Sequence, residues 1–290
     1  MLYAQPDHIF HLTRLPNEAE TPTAEFDKQW PLLNRGQTIQ GQTGNVNADI
    51  DANVAWDFWQ GDADFRVAVI DTGVDYNHPD LAANIWTNTG EIPNNGMDDD
   101  GNGYVDDYHG YNFLYDPVED PIRDGFDQDG HGTNVTGIIA AVGDNELGLV
   151  GINWRAKIVP LRACDADGCA ESKLVLAVQY CIDTNIKLSN NSYGFCEQSS
   201  TYPGALYDAF KQARDQIGHL AVAGAGNYID TQGGPRHCTT LNNDLSAVWP
   251  ASFGEDNEPN NPGLGSVIAV AATNNQDRLW ASGSTMTIRG

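Results

Sequence analysis

The sequence predicts an α/β fold of three layers, a mostly parallel sheet with helices on both faces. Three observations carry this. Short apolar runs rich in β-branched residues alternate with segments of helical spacing. The runs are apolar almost throughout, as strands covered on both faces are. Their β-α-β-α order implies parallel pairing through helical crossovers. In order, residues 65–70 (FRVAVI) read as a strand ending at Asp71-Thr-Gly, and 133–142 as a helix of small and β-branched residues. Residues 157–163 read as a strand, and 171–182 as a helix with Leu174, Val175, Val178 and Ile182 on one face. Residues 186–189 read as a strand, 206–216 as a helix, and 220–223 and 267–272 as strands. Two polar stretches, 87–128 and 226–265, are too long to be simple connections.

At 290 residues and 40% hydrophobic content the chain can bury a sizeable core. Forty Asp and Glu against 15 Lys and Arg give a formal charge of −25, which argues against nucleic-acid and anionic-lipid partners. No apolar run reaches the ~18 residues a membrane span needs, and the first residues carry no basic and apolar segments of a signal peptide. Many acids fall between Asp98 and Asp129, which fits either a solvated face or cation binding. The five cysteines contain no Cys-x-x-Cys pair, and their pairing is open.

In a parallel sheet, chemistry collects at the carboxyl ends of the strands. Asp71, residues 190–194 and Asn227 all stand there. An acid held at a strand end can orient an imidazole, and His131, in Asp-Gly-His-Gly-Thr at a helix start, can serve as general base. Asn227, closing Ala-Gly-Ala-Gly-Asn, can donate to a developing oxyanion. Taken singly, each signal also fits a cap, a polar loop or a turn.

Together they resemble a known family. VAVIDTGVDYNHPDL (67–81), HGTNVTGIIAA (131–141), SNNSYG (189–194), AGAGN (223–227) and SVIAVAATNNQDRL (266–279) resemble, in order, segments of the subtilisin-like serine proteases, or subtilases. QWPLLNRGQT (29–38) resembles the opening of their mature domain. The resemblance implies an endopeptidase in which Asp71 orients the imidazole, His131 is general base and acid, and Asn227 donates to the oxyanion. Ser192, Tyr193 and Gly194 would bind an extended polypeptide substrate by strand addition. One position departs from the pattern: Asn134 stands where the family usually has a second histidine.

The family's Gly-Thr-Ser-Met-Ala nucleophile segment has no counterpart, so the expectation is a catalytic domain over 26–290 lacking its serine-bearing part and incomplete at the C-terminal end. Ser284 is the nearest imitation, but it follows the 267–272 strand too closely. A truncated gene or a frameshift would explain the tail. Residues 1–25 resemble the remnant of an inhibitory propeptide and its linker, although a disordered leader also fits. A catalytically inactive, peptide-binding relative is the alternative to an enzyme.

Calcium is the expected cofactor, in a structural role. Asp98, Asp100 and Asn102 alternate before Gly103, as in the opening of an EF-hand-like loop, with the Tyr104 carbonyl next and Asp106 or Asp107 closing the shell, since His109 stands where the Glu would be. From resemblance alone, a second site would join Asp80 to Asn145 and the carbonyls of Gly143, Leu147 and Leu149. The resemblance further implies secretion and, as a partner, the chain's own propeptide.

Overall fold

Alternation along the strands sorts the core into two faces. In a computed structural model that describes residues 15–20, 25–118, 123–197, 204–226, 247–254 and 263–278, six parallel strands form the main sheet. They are β1 (Arg66–Asp71), β2 (Tyr111–Asn112), β3 (Lys157–Arg162), β4 (Leu188–Asn191), β5 (Leu220–Gly224) and β6 (Val267–Val270), in spatial order β6-β5-β4-β1-β3-β2. Successive side chains of a strand point to opposite faces. Ala68 and Ile70 of β1 accordingly join one cluster, with Leu174 and Val178 of α2 (Glu171–Asp183) and Leu206 and Phe210 of α3 (Ala205–Ile217). Val67 and Val69 join the other, with Ala140 of α1 (His131–Ala140). This is the three-layer α/β arrangement expected from the sequence.

Two expectations about the strands need correction. The strand over 186–189 begins two residues later, and Asn190 and Asn191 belong to the ladder instead of following it, paired with Val69 and Ile70 of β1. Ile186 instead closes the end of α2, its N–H donating to the Cys181 carbonyl. The asparagines look like a strand end because they are polar, yet buried polar groups are tolerated where each has an internal partner. The strand β2 lies inside the long stretch 87–128 and is too short to show periodicity.

The segment before the sheet is packed as well. Phe26, Leu32, Trp56 and Trp154 form a separate buried cluster, and Asn34 Nδ2 donates to the Asn275 carbonyl at 2.9 Å beyond β6. Cys164 and Cys169 form a disulfide across a short antiparallel hairpin, and Cys181 is buried and free.

His219, 2% exposed and one residue before β5, is the buried titratable link between β5 and its neighbour β4. Burial pushes its pKa below 6.5, and the hydrogen bond to the Ile186 carbonyl opposes this only in part. Between the lowered folded value and 6.5 the unfolded chain takes up a proton that the folded chain refuses. The stability this group contributes is complete above that pH and is lost as pH falls. Acidification from about pH 7.5 to about 5.5 should therefore lower the wild-type urea midpoint more than that of His219→Gln, which gains no proton. Equal shifts in the two proteins would show that His219 does not titrate in this window.

Candidate active site

β1 ends on Asp71 and α1 begins on His131, and the two side chains meet: His131 Nδ1 lies 2.7 Å from Asp71 Oδ1. A carboxylate only accepts, so Nδ1 carries the hydrogen and Nε2 is left as the basic nitrogen. Asp71 is buried at 3% side-chain exposure, whereas the His131 side chain is 53% exposed. One end of the pair is thus held inside the protein and the other meets solvent. Burial raises the Asp71 pKa above 3.8, opposed by hydrogen bonds from His131 and the Thr72 N–H.

The meeting depends on how closely α1 approaches β1. A Cβ on Gly132 would stand 2.1 Å from the Gly73 carbonyl oxygen and 3.1 Å from the Asp71 side chain, so only glycine fits. Gly73 is itself at φ +102°, and a Cβ there would meet the Phe126 carbonyl at 2.6 Å. Thr72 Oγ1 accepts from the Gly132 N–H at 3.0 Å and donates to Asp127 Oδ1 at 2.9 Å. Asp127 also accepts the N–H groups of Asp129, Gly130 and Thr133 and the Thr133 hydroxyl. Burial alone would raise its pKa, but these hydrogen bonds outweigh it and hold the carboxyl below 3.8. Sequence reasoning missed Asp127; its signal was an acid four residues before a helix start rich in unpaired N–H groups.

Along the expected peptide edge, Ser192 and Gly194 are exposed and Tyr193 is half-buried. Tyr193 donates its hydroxyl to Asn191 Oδ1 at 2.8 Å, and burial raises its pKa well above 10. Asn134 is exposed on α1. Asn227 and Ser284 lie outside the described residues.

The expectation of a chain without the serine partner is corrected by a second imidazole pair. Ser189 Oγ and His219 Nε2 are 2.8 Å apart, so a serine–histidine hydrogen bond is present. It escaped notice because the two residues are 30 positions apart and neither stands in a serine motif. Both side chains are buried in the sheet, at 0% and 2% exposure, and Asp71 is bonded to His131 rather than to His219.

The acidic loop brings together only part of the expected calcium set. Glu91, Asp100 and Asp107 hold carboxylate oxygens within 4.8 Å of one another, a group able to hold a metal ion. Asp98 instead accepts N–H groups of its own loop, from Gly101, Asn102 and Gly103. Asn102 Nδ2 donates to Asp107 Oδ2 at 3.1 Å, and the Tyr104 hydroxyl donates to Asp183. Glu91 lies outside the motif and was not legible from it. Burial pushes the Asp107 pKa up to about 6, against hydrogen bonds from Tyr180, Asn88 and Asn102.

At the other expected site, Asp80 accepts from Asn145 Nδ2 at 2.7 Å and from the Leu149 N–H at 3.0 Å. Of the expected set, Asn145 and Leu149 therefore reach this acid, Leu149 through its N–H rather than its carbonyl. Glu18, only 1% exposed, accepts the Asp144 and Asn145 N–H groups, so a second buried acid braces the same loop.

Comparison with known proteins finds similar sequences and a shared fold. The chain is 40% identical over 164 residues to the subtilisin-like protease 1 of Plasmodium vivax, covering 56% of this chain and 24% of that one. It is 27% identical over 281 residues to a thermophilic serine proteinase of Bacillus sp. (strain AK1), covering 96% and 50%. The chain thus spans between a quarter and half of these relatives. The epidermin leader peptide processing serine protease of Staphylococcus aureus superposes with a TM-score of 0.56 at 20% identity, over 92% of this chain and 55% of that one, which shows a shared fold. The sequence model of the subtilase family matches residues 62–288. With the match spanning most of its length, the chain belongs to the subtilase family.

Proposed function

We propose that this chain is a serine-type endopeptidase acting on polypeptides. The observation that carries the reading is the Asp71–His131 hydrogen bond at the carboxyl end of β1, with the imidazole open to solvent. In this reading His131 Nε2 takes the proton of an attacking serine and later returns it to the leaving amine. Asp71 keeps the imidazole in the required tautomer and stabilises its charged form. Asn227 donates to the tetrahedral oxyanion. An extended substrate adds as a strand beside Ser192, Tyr193 and Gly194, a role that the exposure of Ser192 and Gly194 supports. Among the described residues no helix is long and apolar enough to cross a membrane. The Cys164–Cys169 disulfide supports an extracellular setting.

A fluorophosphonate probe should label a serine of the wild-type chain, and peptide mapping will name it. His131→Ala should slow labelling at least ~10⁴-fold. A wild-type chain in which no serine is labelled would overturn the reading.

We also propose that the group of Glu91, Asp100 and Asp107 holds calcium in a bracing role. Clustered carboxylate oxygens suit a hard cation, and an acid as buried as Asp107 gains from a neighbouring positive charge. Asp80 and Asn145 are proposed as the core of a second site. Calcium at a hundredfold excess over its Kd contributes about 2.7 kcal/mol, or roughly 5 °C in Tm for a chain of this size. Glu91→Gln with Asp100→Asn should remove most of that rise. An unchanged wild-type Tm across a calcium titration would exclude both sites.

A further inference from the structure

The buried pair Ser189–His219 does not stand alone. His219 Nδ1 is 2.8 Å from the Ile186 carbonyl, which can only accept, so Nδ1 carries the hydrogen. Nε2 must then accept, and the Ser189 hydroxyl donates to it at 2.8 Å. With its hydrogen committed, Ser189 Oγ accepts from Asn191 Nδ2 at 2.9 Å. That places the Asn191 oxygen at the far end, where it accepts the Tyr193 hydroxyl at 2.8 Å. Each step fixes the direction of the next, so one carbonyl sets the polarity of the whole chain.

The path has a definite course through the fold. It begins beneath β5, crosses to β4 and runs along β4 past its last residue, ending inside the edge expected to bind substrate. Ser189 and Asn191 are 0% exposed and His219 is 2% exposed. Asn191 pairs in the ladder with Ile70, the residue before Asp71. Asn191 Nδ2 also reaches the Val222 carbonyl of β5 at 3.3 Å. The last donor, Tyr193, belongs to a segment with no ladder of its own, because β4 ends at Asn191. Its flanking residues, Ser192 and Gly194, are exposed. Backbone pairing resumes only at Phe195, where Phe195–Glu197 runs antiparallel to Ala247–Trp249, so side-chain bonding from below helps to fix residues 192–194 between the two ladders.

We infer that His219, Ser189 and Asn191 are positioning residues that set the Tyr193 side chain, and through it the Ser192–Gly194 backbone on which a peptide substrate aligns. This rests on the endopeptidase reading above. Ser189 is not the nucleophile in this arrangement: its hydroxyl is sealed from solvent, and its histidine has a carbonyl rather than an acid behind it. A polar chain inside a core is also directional in a way that apolar packing is not, so a break anywhere along it should be felt at its end.

The experiment uses the full chain and peptide substrates long enough to occupy the edge. Labelling of the wild type by the fluorophosphonate probe is measured first. Absence of any labelled serine defeats the endopeptidase reading, and capture of Ser189 itself defeats the positioning role. With another serine labelled, Tyr193→Phe and Ser189→Ala should each raise KM roughly 10-fold with kcat within about twofold of wild type. The double variant should raise KM no further than the larger single effect, within about twofold, because both substitutions break one chain. Ser189→Ala that lowers Tm but leaves KM unchanged, or effects that multiply in the double variant, would overturn the inference. Should Ser189→Ala fail to fold, Tyr193→Phe paired with His219→Gln gives the same cycle.

Discussion

The close approach of α1 to the end of β1 is the constraint on which the site depends. Gly132 removes the side chain that would hold α1 off the end of β1, and Gly73 removes one that would strike the Phe126 carbonyl beside it. Thr72 and Asp127 then join the two elements through hydrogen bonds that need no exposed group. The Asp71–His131 bond is a consequence of this clasp. Its partners come from strand and helix ends already locked together, so little side-chain freedom is left to lose when the bond forms. A site so built is rigid on the acid side and open on the imidazole side, as proton transfer to a bound group requires.

Asp71 and Asp127 show how burial is outweighed at one carboxylate and not at another. Both lie near the junction of β1 and α1, and burial is the largest influence on each. Asp127 receives donors on both oxygens from backbone and hydroxyl groups, and its pKa falls. Asp71 receives the Thr72 N–H and the imidazole, and its pKa rises. More donors and shallower burial both favour the charged form at Asp127. Asp127 is accordingly a structural anion, whereas Asp71 depends on its histidine for stabilisation.

What could be read from residue order alone follows from the same physics. The strands β1, β3, β5 and β6 and the helices α1, α2 and α3 announced themselves, because long apolar runs and helical spacing are local signals. Asp71 and His131 were legible for the same reason, each standing at the boundary of such an element. Partners that depend on long-range closure were not. Glu91 reaches Asp100 and Asp107 across a loop, Glu18 reaches a loop more than a hundred positions away, and Ser189 meets His219 across two strands. The polar residues of β4 were misplaced because alternation reports burial against apolar neighbours, and these are buried against each other.

The strong negative charge also takes on a different meaning once the acids are placed. Surface solubility explains carboxylates that face water, but several here face inward and accept backbone hydrogens. Glu91 accepts the N–H groups of Asp99, Asp100 and Asp106. Asp98 accepts three from its own loop, Asp106 those of Asn95 and Gly96, and Glu18 two from residues 144–145. Long loops lack the ladders that satisfy backbone donors elsewhere, and an unpaired buried N–H is costly. Carboxylates acting as shared acceptors replace those ladders, which concentrates negative charge where regular backbone pairing is absent. The repulsion this creates among neighbouring acids is what a cation at the proposed Glu91, Asp100 and Asp107 group would relieve.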